Sequence, residues 1–136
     1  MNAPNIISVT GLYNSFGDQV IHEDLNIDVR RGEILGVVGG SGTGKSVLMR
    51  SIIGLQEPDA GEIRFDGATP DQWDPAELGR SIGYLPQSLD LLPGTIRDNI
   101  ARFDPDAKDE VVIEAARVAG VHDMILRLPD GYASRV

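Results

Sequence analysis

The run Gly39-Gly40-Ser41-Gly42-Thr43-Gly44-Lys45-Ser46 carries the strongest chemistry in this sequence. It fits the pattern G-x-x-x-x-G-K-[ST] at every fixed position. Glycines there allow backbone dihedrals that turn successive N–H groups inward, toward phosphate oxygens. A helix that opens at Lys45 adds its unpaired first N–H groups, through Ser46 and Val47, and the positive end of its dipole. Lys45 supplies a point charge between the outer two phosphates of a nucleotide. The Ser46 hydroxyl is of the type that ligates Mg2+ bridging those phosphates.

The flanking residues supply the context this motif requires. "ILGVVG" before it is a nearly unbroken apolar run, the pattern of a strand covered on both faces. "KSVLMRSIIG" after it has Val47, Leu48, Ile52 and Ile53 spaced for a buried helix, with Gly54 as its stop. Upstream, "IISVT" at 6–10 reads as a short strand. "DLNIDVR" at 24–30 alternates, with Leu25, Ile27 and Val29 on one face and Asn26, Asp28 and Arg30 on the other, as in a half-buried antiparallel strand.

Downstream, "EIRFDG" reads as a strand and turn, and "IGYLPQ" at 82–87 as a strand stopped by Pro86. Helix signals then dominate. Asp74, Pro75 and Glu77 start one helix, and Thr95 with Asp98 start another. "DPDAKDEVVIEAARVAG" forms a third, with Val112, Ala115, Ala116 and Ala119 on one face and Gly120 as its stop. "VHDMILRLPDG" gives a last short helix before Pro129. The expected organisation is a nucleotide-binding core over 1–87 and helices over 88–136.

Composition narrows the function classes. The 136 residues include 12 Lys and Arg against 21 Asp and Glu, a formal charge of −9. Nucleic-acid binding needs clustered cations, so it is not expected. With no cysteine, disulfides, thiol catalysis and cysteine-zinc sites are excluded. His22 and His122 have no metal-ligand spacing. No apolar run approaches the length of a membrane span, and "MNAPNIISVTG" lacks the basic start and apolar core of a secretory signal. A cytoplasmic chain is expected.

With these motifs in place, the sequence resembles the ATP-binding domains of ABC transporters. Phe16 in "SFGDQ" stands where that family places an aromatic that stacks on adenine, and Tyr13 is the runner-up. "GYLPQSLDLLPGTIRDNI" resembles the family's Q-loop, and Gln87 would reach Mg2+ and the attacking water with an amide that both donates and accepts. The resemblance implies an α/β fold, a P-loop NTPase core with an N-terminal antiparallel β segment and the start of an α-helical subdomain. It implies ATP and Mg2+ as ligands. Transmembrane permease subunits or domains and a second, head-to-tail ATPase subunit are the implied partners, at the cytoplasmic face of a bacterial inner membrane.

The portion up to Gly67 resembles lipid-trafficking importer ATPases, and the portion from Asp71 resembles type I secretion exporter ATPases. An intermediate subfamily, a recombined chain and an engineered one all fit that pattern. Transport direction and substrate are not readable. "LPDGYASRV" lies shortly before the signature Leu-Ser-Gly-Gly-Gln in relatives, and these residues hold neither that motif nor a Walker B strand ending in Asp-Glu. Residues 1–136 are therefore expected to form an incomplete ABC ATPase fold, marginally stable alone, that binds Mg-ATP with little turnover. The competing reading is a non-catalytic interaction module whose helices after Gln87 dock on transporter subunits. A kinase or GTPase of the P-loop class is disfavoured, because the Phe16 and Gln87 spacings fit the ABC pattern and no Asn-Lys-x-Asp is present.

Overall fold

The computed structural model describes residues 4–88 and 90–136. Residues 1–3, where the absent-signal reading begins, and Leu89, within the Q-loop-like phrase, lie outside the described residues. The chain divides into two compact units, one up to Tyr84 and one from Leu85 on.

The first unit is built on β1 (Asn5–Phe16) and β2 (Gln19–Arg30), an antiparallel hairpin turned by Gly17-Asp18. β3 (Ala60–Phe65) pairs antiparallel with the other edge of β1, giving the order β2-β1-β3. β1 runs well past the expected 6–10, because the tight Gly17-Asp18 turn lets the two strands pair to its base, Phe16 opposite Gln19. Leu25, Ile27 and Val29 are half-buried while Asn26, Asp28 and Arg30 are exposed, the alternation expected of a strand with one wet face.

α1 (Lys45–Ile52) lays Leu48 against this sheet. Val9, Leu12, Leu48, Ile63 and Phe65 form the buried core, and Ile7, Ile27, Ile52, Trp73 and Leu78 pack around them. Burying a side chain such as Leu12 contributes about 1.5–3 kcal/mol. α2 (Pro75–Ser81) starts as its sequence signals: the Asp74 carboxylate accepts from the Ala76 and Glu77 N–H groups, each at 3.0 Å.

Two expected strands are not formed. Residues 33–40 are neither strand nor helix, and Ile34 and Val38 are 98% and 93% exposed. A strand that is apolar on both faces holds its place only between parallel neighbours under helices, and the described residues pair none with it. "IGYLPQ" is likewise irregular beyond Ile82, which caps α2, so it offers no parallel partner.

In the second unit, α3 (Ile96–Ile100) opens with a reciprocal capping box. Thr95 Oγ1 accepts from the Asp98 N–H, and the Asp98 carboxylate accepts from the Thr95 N–H, both at 3.0 Å. Hydrogen bonding of the carboxylate by the Thr95 side chain foremost, and then by the Thr95 N–H, holds the Asp98 carboxyl below its ordinary range. Arg97 ties α3 to α4 (Asp109–Val118), donating to Asp109 Oδ1 and to the Ala107 carbonyl, each at 2.7 Å.

Val112 and Ala116 of α4 are buried with Ile125 of α5 (His122–Leu126). Ala115 and Ala119 are exposed, which corrects the expected four-residue face. The apolar stripe is narrower because α4 is covered along one line only. The chain's last residues return to the start of α3, with the Ile96 N–H donating to the Ser134 carbonyl at 3.0 Å.

The exposed run around Ile34 and Val38 carries unpaired backbone and apolar side chains, a combination that favours pairing with other chains. Sedimentation of the 136-residue chain at rising concentration should show association beyond the monomer. The double variant Ile34→Lys/Val38→Lys should shift it toward the monomer; a wild type that stays monomeric would contradict this.

Candidate nucleotide-binding site

The loop 39–44 leads straight into α1, so its N–H groups and those of the first helical turn share one concave stretch of backbone. Gly42 and Gly44 have φ of 79° and 86°, left-handed values that only glycine adopts without strain. Gly44 is the N-cap of α1, and no side chain caps the helix. The first N–H groups of α1 therefore keep their capacity for an external acceptor.

The position of Gly44 is set by the hairpin. A Cβ at Gly44 would lie 2.5 Å from Ile21 Cγ2 and 2.7 Å from His22 Nε2. β2 thus presses directly on the loop backbone, and there is no room for any side chain. Gly39 is constrained from the other side, since a Cβ there would meet Thr43 Oγ1 at 2.8 Å.

Lys45 leans back across the loop. Its ammonium donates to the carbonyls of Gly39 at 2.7 Å and Gly40 at 2.5 Å, and to Thr43 Oγ1 at 3.2 Å. The Thr43 hydroxyl in turn donates to the Gly40 carbonyl at 2.9 Å. These bonds place the cation over the loop that the glycines shape. Anionic oxygens at that place offer charge-assisted bonds roughly twice as strong as neutral ones.

Ser41, Gly42, Thr43 and Ser46 are exposed, Val47 is half-buried, and Leu48 behind them is buried. The wet side of the loop is therefore polar and the dry side anchors it. Phe16 belongs to the same unit, at the end of β1 where the hairpin turns, and its ring is 54% exposed. Tyr13 is half-buried. Gln87 is exposed and falls in the second unit.

The hairpin and α1 also share a buried polar chain that the sequence did not reveal. Asn14, His22 and Ser51 are buried, and they form a hydrogen-bonded chain from β2 through β1 to α1. His122, by contrast, pairs its Nδ1 with the Tyr132 hydroxyl at 2.8 Å, a packing contact of the second unit. Among the described residues no group of His, Asp and Glu is arranged to hold a metal.

The model of the ABC transporter family matches residues 22–135. The chain belongs to the ABC transporter family. Its match is to the family's ATP-binding domain, and its fold is the mixed α/β arrangement of that domain, with the antiparallel β segment ahead of the P-loop.

A type I secretion system ATP-binding protein, PrsD of Rhizobium meliloti (strain 1021), is 47% identical over 118 residues, 87% of this chain and 20% of the relative. The toxin RTX-III translocation ATP-binding protein of Actinobacillus pleuropneumoniae is 43% identical, over 83% of this chain and 16% of its own length. The structure of a bacterial Atm1-family ABC exporter with ATP bound superposes with a TM-score of 0.84 at 32% identity, covering 99% of this chain and 24% of that one. The chain spans about a fifth of the length of such relatives. The likeness to the secretion protein covers 118 residues, a span too long to be confined to the portion after Asp71.

Gly44→Ala should be costly, since it combines a left-handed backbone with a clash against Ile21 and His22. Urea denaturation should show a loss of about 1–3 kcal/mol. An unchanged midpoint would mean that the hairpin does not press on the loop.

Proposed function

We propose that this chain is the ATP-binding part of an ABC exporter ATPase, and that residues 39–47 grip the phosphates of Mg-ATP. The observation that carries this reading is the glycine-only geometry at Gly44, which leaves backbone N–H groups of the first turn of α1 without a capping side chain beside the Lys45 ammonium.

Gly39, Gly40, Ser41, Gly42, Thr43, Gly44, Lys45, Ser46 and Val47 hold the triphosphate. Phe16 stacks on the adenine through an exposed face that needs no base-specific hydrogen bonds. The Ser46 hydroxyl, a hard oxygen donor, would hold Mg2+ together with the nucleotide's phosphate oxygens, and the ion would neutralise charge on the outer phosphates. The Gln87 amide, which can donate and accept, would orient water and metal.

Residues 1–136 contain no Walker B carboxylate and no Leu-Ser-Gly-Gly-Gln. Phosphoryl transfer depends on several such groups acting together, so these residues bind Mg-ATP and turn it over slowly if at all. The relatives' names, secretion and toxin translocation, favour export as the direction. Permease domains and a second ATPase subunit are the partners in this reading. No helix among the described residues is long and apolar enough to cross a membrane.

Lys45→Ala should weaken binding of a fluorescent ATP analogue in the presence of Mg2+ by about 10- to 100-fold, the worth of charge-assisted bonds of about 1.5–3 kcal/mol. Equal affinity of wild type and variant would sink the reading.

A further inference from the structure

The Asn14–His22–Ser51 chain fixes a detail of the histidine. Ser51 Oγ donates to Asn14 Oδ1 at 3.4 Å, so the Asn14 carbonyl faces α1 and its amide faces β2. That amide lies 3.1 Å from His22 Nδ1. An amide N–H there requires Nδ1 to accept, and a neutral imidazole that accepts at Nδ1 carries its proton at Nε2. Asn14 is 1% and His22 9% exposed, so the pair is shielded from competing water.

The protonated edge of the ring is the one that meets the loop. His22 Nε2 and Cε1 would lie 2.7 and 3.2 Å from a Cβ at Gly44. No other hydrogen bond of the His22 side chain forms among the described residues. The Nε2 edge is not among the buried unpartnered polar atoms, so a polar N–H reaches the surface beside the loop, a placement that packing does not require. An aliphatic side chain would fill the same space without the need to partner a buried Nδ1.

We propose that His22 is a positioning residue for the phosphate-binding loop: Asn14 locks its tautomer, and its Nε2–H edge sets the angle at which Gly44 and the first turn of α1 meet the phosphates. The same chain reaches Ser51 near the end of α1, so the helix is hydrogen-bonded to the hairpin at its last turn while His22 packs against Gly44 at its start. The bulge at Asp24 makes this possible. Asp24 has φ of 49°, and the pairing shifts register between Leu12–Leu25 and Asn14–His22, which turns His22 onto the core face. This proposal rests on the reading of residues 39–47 as the phosphate site.

The test uses the 136-residue chain, a fluorescent ATP analogue with Mg2+, and nitrogen-15 NMR of the histidine rings. His22→Leu keeps the volume and removes the N–H; it should weaken Mg-nucleotide binding about tenfold. His22→Gln, whose amide can donate from the Nε2 place, should stay within about threefold of wild type. Asn14→Leu should match His22→Leu, and the double variant should lose no more than either single one. The wild-type ring should be the Nε2-protonated tautomer, with nitrogen shifts that move on adding Mg-ATP.

Wild-type affinity in His22→Leu, or His22→Gln as weak as His22→Leu, would overturn the proposal. Should the substitutions prevent folding, the wild-type spectrum decides: an Nδ1-protonated ring, or one unmoved by Mg-ATP, overturns it. Binding lost in Lys45→Ala and kept in His22→Leu removes the role of His22 alone. Failure of the wild type to bind Mg-ATP removes the nucleotide site with it.

Discussion

The close approach of β2 to the backbone of Gly44 governs the rest of the first unit. A loop rich in glycine has no side chains with which to hold its own shape, and its conformational entropy opposes any single arrangement. Here the shape is imposed from outside. Ile21 and His22 occupy the space beside Gly44, and α1 leaves the loop with Leu48 fixed in the core. The loop backbone is thereby squeezed between a hairpin and a helix that share one hydrophobic core. In the proposed reading that arrangement keeps donors aimed at an anion before it arrives, which lowers the cost of binding it.

The sequence made the phosphate loop plain because its chemistry is local. The glycines, lysine and serine are consecutive, and the helix after them follows its own periodicity. The same holds for the helix starts, where Asp74 and Thr95 bond to N–H groups two or three residues away. Local rules failed where a segment depends on partners. "ILGVVG" reads as a strand by composition, yet a strand is stabilised by its neighbours, and none pairs with it among the described residues. "IGYLPQ" fails for the same reason.

The buried polar chain was hidden for a different reason. Counting by twos from Leu25, Ile27 and Val29 puts position 22 on the wet face. The bulge at Asp24 reverses that count, and a matching irregularity near Gly11 reverses it on β1, bringing Leu12 and Asn14 inward. Asn26 braces the bulge: its side chain donates to the Asp24 carbonyl at 2.7 Å and accepts from the Gly11 N–H at 2.9 Å. A shift of one residue thus decides whether the histidine faces water or the loop. Asp24 and Gly11 were the visible signals, turn-type residues within otherwise strand-like stretches.

In the proposed reading an acidic chain holds a polyanion, which sets a condition on how it can do so. With a formal charge of −9, long-range attraction is unfavourable, and the grip must come from short-range donors that are already in place. Amide hydrogen exchange of the 136-residue chain, with and without Mg-ATP, tests that claim most directly. Slower exchange confined to residues 39–47 and the flanking hairpin is the expected result. Exchange in that stretch unchanged by Mg-ATP would contradict it.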